Sequence, residues 1–353
     1  MTKVSEVGPW GDGLPPPPPP RWDVPQAPAA EVVSSLEAGL GLPRVLCGVL
    51  AARGVDDPAS AKAFLRPLLS TLHSPEDLTD LPIAVARIKE AIEREEVIFI
   101  HGDYDVDGMA GSALLTRWIR RLGGEAEPFV PHRLRDGYDL GPRGIEAAVK
   151  RRASLLVTVD CGILAHDAVS AARDSGLDVI ITDHHAPGDT LPEARAVLNP
   201  NRVDCTYPNK GLCGAGVAFK LCQGLASAFS LPEEDLHPLL DLVAMATIAD
   251  LVPLTGENRT LVRFGLKALA RTENLGLGRL MDEAGLEAEK VSAGTVGFVL
   301  APRLNAVGRL GDPSSGLRLL VTEDPEEARS LAKEADVLNR ERQEMDRATL
   351  EQA

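Results

Sequence analysis

Three short polar clusters stand out in this 353-residue chain, because each joins carboxylates or imidazoles to the end of an apolar run. VIFI leads into His101-Gly102-Asp103-Tyr104-Asp105-Val106-Asp107-Gly108, SLLVTV leads into Asp160-Cys161-Gly162, and DVIIT leads into Asp183-His184-His185. Three acids alternating on one loop repel one another, and like charges at close range raise each other's pKa. A divalent cation removes that cost. Asp and His donors without thiolate suit manganese, magnesium or a similar ion. A calcium loop of DxDxDG form also starts this way, but its twelfth position counted from Asp103 is Leu114, where an acid is required. Taken singly, an Asp-x-Asp is a turn and an Asp-His-His a helix cap. Their shared place at successive strand ends is what points to metal-assisted chemistry.

The elements that must position these clusters can be read from periodicity. VIFI at 97–100, EPFV at 127–130, SLLVTV at 154–159, DVII at 178–181 and AVL at 196–198 are short apolar runs, separated over the first four by the helical patterns GMAGSALLTRWIRRL, PRGIEAAVKRR and LAHDAVSAARDSG. This alternation predicts an α/β fold with a doubly wound, mainly parallel sheet. In such sheets the carboxyl ends of the strands line one crevice, so the three clusters should converge there. Residues 29–95 read as an N-terminal helical segment, with Ile83, Val85, Ile88 and Ile92 as one buried stripe. The predicted catalytic domain covers 96–320, mostly helical beyond 211. Residues 321–353, with ten acids and five bases, read as an exposed connecting helix that ends without a stop signal, as in a fragment. Residues 1–28 hold the Pro15 to Pro20 run and read as a disordered or polyproline-II tail.

Composition sets outer bounds. With 44% hydrophobic and 25% charged residues the chain reads as globular and soluble. No apolar run approaches the ~20 residues of a spanning helix. The N-terminus lacks the apolar core of a secretory signal, so a cytoplasmic protein is expected. Five cysteines, an odd number without a Cys-x-x-Cys pair, indicate neither a disulfide framework nor a zinc ribbon. The net charge of −15 argues against a nonspecific nucleic-acid coat, yet 128–153 carries six Arg or Lys against three acids, a local basic stretch. The motif Pro302-Arg303-Leu304-Asn305-Ala306-Val307-Gly308-Arg309 reads as a loop with two positive charges suited to phosphate oxygens.

Asp105-Val106-Asp107, Asp160, Asp183-His184-His185 and Asp250 resemble the four motifs of the DHH phosphoesterase superfamily. HGDYDVDG, RLRDGYDLGP, TVDCGI, TDHHAPGDTLPEARAVLNPN, GAGVAFKL, DLVAMATIADLVPL and APRLNAVGRLGDP are similar to its bacterial single-strand-specific exonucleases, over a stretch from about residue 45 to the end. The resemblance implies two divalent ions, manganese before magnesium. One would be held by Asp105 and Asp160 with His101, the other by Asp107, Asp160, His184 and Asp250, with Asp160 as the bridge. It implies that His185 contacts the scissile phosphate or supports the leaving group, with Asp103 behind the ligands. Arg133 and Tyr138 would take the strand's 5′ end as phosphate contact and stacking platform, and Asn305 and Arg309, ahead of Arg303, would clamp phosphate. The implied activity is 5′-to-3′ hydrolysis of single-stranded DNA to 5′-mononucleotides in repair and recombination, beside a single-strand-binding protein and a helicase. The family's exonucleases continue into DHH-associated and OB-type domains that do not follow Ala353. A hydrolase of small phosphoesters (short oligonucleotides, cyclic dinucleotides or pyrophosphate) and an inactive nucleic-acid-binding fragment therefore stand as alternatives.

Overall fold

Short β-branched runs become strands where both of their faces are covered, and five do so: β1 (Val97–Gly102), β2 (Glu125–Phe129), β3 (Leu155–Val159), β4 (Asp178–Thr182) and β5 (Ala196–Leu198). They form one sheet in the order β2-β1-β3-β4-β5, parallel at each pairing. Gly102 pairs with Val159 and Val159 with Thr182, so β1, β3 and β4 end level with one another. Between them are α5 (Val106–Arg121), α6 (Pro142–Lys150) and α7 (His166–Asp174). Ile98, Ile100, Leu155, Val157, Ile180 and Leu198 face one core, shared with α5, α4 (Leu81–Glu93), α8 (Gly214–Ala228) and α9 (Leu240–Ala249). The alternate residues Phe99, Leu156, Val179, Ile181 and Val197 face a second core, covered by α6 and α7. The period of two along each strand thus supplies both layers of the doubly wound fold.

The computed structural model describes residues 26–352, so nearly all of the tail expected over 1–28 lies outside the described residues. Two units divide after Leu65. In the first, α1 (Ala30–Leu40), α2 (Arg44–Ala51) and α3 (Pro58–Leu65) pack around Val33, Leu36, Cys47, Leu50 and Ala61. The second begins at Arg66 and includes α4, which the sequence grouped with the N-terminal helices. The reason is the face that α4 buries. Leu81, Ala84, Ile88 and Ala91 pack into the core of the sheet, while Ile83 is 46% exposed and does not belong to the stripe. Arg87 is buried with it and pairs with Asp178 on β4 and with Glu96.

Beyond α9 the second unit continues through α10 (Gly256–Leu269), α11 (Leu275–Glu283), α12 (Ala293–Thr295), a π-helical turn at Val296–Leu300, α13 (Ala301–Leu310), α14 (Pro313–Val321) and α15 (Pro325–Gln352). The stretch read as a phosphate loop is helix α13. Pro302 and Gly308 look like turn residues, but Pro302 stands at the helix start, where a missing N–H costs nothing, and Leu304, Ala306, Val307 and Gly308 are buried. The helix read as an exposed connector is α15, and its first turns are not exposed. Ala328, Leu331, Ala332 and Ala335 form a buried stripe, whereas the turns beyond Asn339 are largely exposed. The five cysteines are all buried and free, and no single helix among the described residues is long and apolar enough to cross a membrane.

Candidate metal centre

The loop after β1 turns into α5 on a carboxylate. Asp105 is the extended N-cap residue, and its Oδ1 accepts from the N–H groups of Asp107 (2.9 Å) and Gly108 (3.2 Å), two of the donors a helix start leaves unpaired. Asp107 lies in the first turn and is buried. Its two oxygens accept from Gly214 N–H (2.6 Å) and Ala215 N–H (2.7 Å), the first amides of α8. Gly214 can only be glycine here, because a Cβ would stand 2.5 Å from the Cβ of Asp160. Asp160, straight after β3, takes a left-handed φ of 63°, a strained setting for a residue with a Cβ.

Asp183 organises the turn after β4. Its Oδ1 accepts from the N–H groups of His184 (2.7 Å) and His185 (3.1 Å) and from Nδ1 of His185 (2.8 Å), while Oδ2 accepts from Ile163 N–H (3.0 Å). It is an orienting residue that the sequence offered only as the first letter of a motif. The turn directs Nε2 of His184 to 3.1 Å from Asp160 Oδ1, 3.7 Å from Asp107 Oδ2 and 3.8 Å from Oδ2 of Asp250, the residue that ends α9.

Three groups of donor atoms result, each within 4.8 Å of one another: Asp107, His184 and Asp250; Asp103, Asp105 and Asp160; and Asp160, His184 and His185. Asp160 belongs to two of them. Asp103 Oδ1, Asp160 Oδ1 and His184 Nε2 are buried without a hydrogen-bond partner, which is costly unless something else meets them. The electrostatics agree. Burial and then neighbouring acids push Asp103 and Asp107 up to about 7 and Asp250 up to about 6. Asp160 is raised well above the carboxylate range by the same causes, and burial lowers His184. An oxygen-rich, anionic, partly orphaned donor set of this kind fits hard divalent cations.

His101 is not brought into these groups. It shares a strand face with Phe99, so its ring is buried beneath α6 against Phe129, with Nδ1 3.7 Å from the Cys161 sulfur, and a Cβ on Gly144 would touch it. Its place as third donor is taken by Asp103. Arg303 is also elsewhere. It pairs with Asp336 of α15 at 2.9 Å and donates to Val299 O, which removes it from any substrate clamp.

The remaining residues, apart from Asp107 and His184, meet around one cavity of about 270 Å³. Asp103, Asp105, Asp160, His185 and Asp250 line it together with Tyr104, Arg133, Tyr138, Asn305 and Arg309. Tyr138, half-exposed, sets its edge against Tyr104 and His185 at ring distances of 6.3 and 6.4 Å, and the Arg133 guanidinium lies 5.7 Å from the Tyr104 ring. Asn305 Oδ1 accepts from Val106 N–H at 3.3 Å, leaving its amide N–H groups for the cavity. A larger cavity of about 660 Å³ is lined by residues of β2, α6 and α14 and contains none of the clustered donors, so chemistry rather than volume selects the site.

The DHH family, N-terminal domain, matches residues 97–247. The single-stranded-DNA-specific exonuclease RecJ of Bacillus subtilis (strain 168) is 42% identical over 325 residues, covering 92% of this chain and 40% of that protein. The crystal structure of RecJ from Thermus thermophilus in complex with Mn2+ matches with a TM-score of 0.80 at 35% identity, over 94% of this chain and 47% of that one. A crystal structure of exonuclease RecJ bound to manganese matches with a TM-score of 0.72 at 39% identity, over 78% and 69%. The chain spans about half the length of the curated relatives it matches.

Proposed function

Because the chain belongs to the RecJ exonuclease family within the DHH family, we propose that it is the catalytic core of a metal-dependent exonuclease that removes nucleotides from the 5′ end of single-stranded DNA. The observation that carries this reading is the meeting of the orphaned acids Asp103 and Asp160 with His185, Arg133, Tyr138, Asn305 and Arg309 around one cavity. Asp107, His184, Asp250 and Asp160 would hold one divalent cation and Asp103, Asp105 and Asp160 a second, manganese before magnesium. Such ions supply Lewis-acid polarisation of phosphate oxygens and a lowered pKa for water.

The chain's own residues then bind and orient the strand. Arg133 takes the terminal phosphate and Tyr138 offers its half-exposed ring to the first base, a contact tolerant of sequence because every base has a π-face. Asn305 and Arg309 hold a phosphate oxygen in the same cavity. His185, fixed at Nδ1 by Asp183, keeps Nε2 for the scissile phosphate or the leaving 3′ oxygen. Its pKa is raised to about 8, first by the Asp183 hydrogen bond. The products would be 5′-mononucleotides. A single-strand-binding protein and a helicase would supply strand, DHH-associated and OB-type domains would extend the catalytic domain, and the setting would be cytoplasmic repair and recombination.

The test incubates the chain with Mn2+ and a 5′-phosphorylated single strand labelled at its 3′ end, beside a blunt duplex and an Asp105→Asn variant. Asparagine caps a helix as well as aspartate does, so this variant keeps α5 and loses only the ligand charge. Stepwise shortening of the single strand alone, abolished by the substitution, is the expected result. Equal cleavage by the variant would sink the metal assignment, and shortening of the duplex would sink strand selectivity.

A further inference from the structure

Two sequence motifs, LNPN and GAG, carry no reactive group, yet they stand at the ends of the stretch from Asn199 to Ala215 that runs behind the metal centre. The ladder between β4 and β5 ends at Thr182 opposite Leu198. Past that pair the backbone carbonyls of His184 and His185 have no strand to bond to. Side-chain amides provide it. Asn199, fully buried, donates through Nδ2 to the His185 carbonyl (2.9 Å) and accepts at Oδ1 from Asn201 N–H (2.7 Å). Asn201 donates through its own Nδ2 to the His184 carbonyl (2.5 Å). Farther along, the Leu212 backbone hydrogen-bonds the His184 ring, and Gly214 and Ala215 hold Asp107.

We infer that Asn199 and Asn201 are positioning residues for the metal centre: they lock the His184–His185 backbone so that Nε2 of His184 falls between Asp107, Asp160 and Asp250 before any ligand arrives. The inference rests on the metal assignment proposed above. An amide suits the task because it donates while remaining neutral. A carboxylate in the same place would face a carbonyl with nothing to give, and a hydroxyl is too short to replace it. Both carbonyls of the dipeptide are held at once, which removes the peptide rotation that would swing the imidazoles. Partners of metal ligands of this kind typically carry ~10–100-fold in metal affinity.

The test is calorimetric titration of Mn2+ into the whole 353-residue chain and into Asn199→Asp, Asn201→Asp and Asn209→Asp variants, with melting temperatures taken in metal-free buffer. Asn209 lies in the same stretch and bonds Asn258 and Gly211 N–H, with no contact to a ligand, so it reports purely structural damage. A ~10–100-fold loss of Mn2+ affinity is expected for Asn199→Asp and Asn201→Asp, and wild-type affinity for Asn209→Asp. The ring 1H–15N correlations of His184 in the metal-free protein should move in the Asn201 variant and stay in the Asn209 variant. Asn199→Asp buries a charge; where it fails to fold, Asn201→Asp at a partly exposed position carries the test alone. Wild-type affinity in the Asn199 and Asn201 variants, or equal loss in the Asn209 variant, overturns the inference. Absence of Mn2+ binding by the wild-type chain overturns the metal assignment instead.

Discussion

Each oxygen of Asp105 has a separate use: one closes the start of α5 while the other is left for the cavity, so the residue builds the fold and the site together. Its neighbours Asp103, Asp107 and Asp250 have folded pKa values raised from 3.8 to about 7, 7 and 6. The folded state therefore binds more protons than the unfolded one across that range, and stability present below about 4 is lost as pH rises through about 7. Metal-free protein should melt at lower temperature at pH 8 than at pH 5.5, and Mn2+ should raise the melting point more at pH 8, where the donors are ionised. A scanning calorimetry series with and without EDTA checks this; a metal-free melting point that rises over that interval would contradict the electrostatics described here. Most of these acids were legible in the sequence, because each follows an apolar run that had to be a strand. His101 was misplaced for a reason also visible there: it shares the parity of Phe99 on β1, so it points at α6 and away from the crevice.

At the scale of elements, what escaped the sequence was packing between helices. Arg303 and Arg309 are six residues apart, which in a helix separates them by about 120° around the axis. Read as a loop, they could share one ligand; as α13, they cannot. Arg303 faces α15 and Asp336, and Arg309 lines the cavity. Replacing Arg309 by Ala should weaken strand binding, read as a raised KM with an unchanged melting temperature. Replacing Arg303 by Met should do the reverse, lowering stability by no more than the roughly 3–5 kcal/mol of a broken buried pair, because Asp336 keeps Arg340. If Arg303→Met instead raised KM at unchanged stability, the division of labour drawn from α13 would be wrong. The strands were easier to foresee, since AVL at 196–198 needs only a short apolar run, whereas the start of α13 hides behind a proline.

For the molecule as a whole, the donors come from the loops after β1, β3 and β4, from the first turn of α5 and from the end of α9, all within the second unit. Mn2+ should accordingly slow amide exchange over 102–108, 160–163 and 183–185 and leave α1, α2 and α3 unchanged, as read by hydrogen–deuterium exchange. Protection spread evenly over both units would mean that the ion acts through bulk charge. α15 takes part in the same arrangement from a distance. Its 28 residues span roughly 42 Å at 1.5 Å per residue, and only the turns up to Asn339 are packed, with Arg303 bolting them to the helix that bears Asn305 and Arg309. The Arg303–Asp336 pair thus ties α15 to the wall of the cavity that Asn305 and Arg309 line, so the helix helps to place that wall without offering a metal donor.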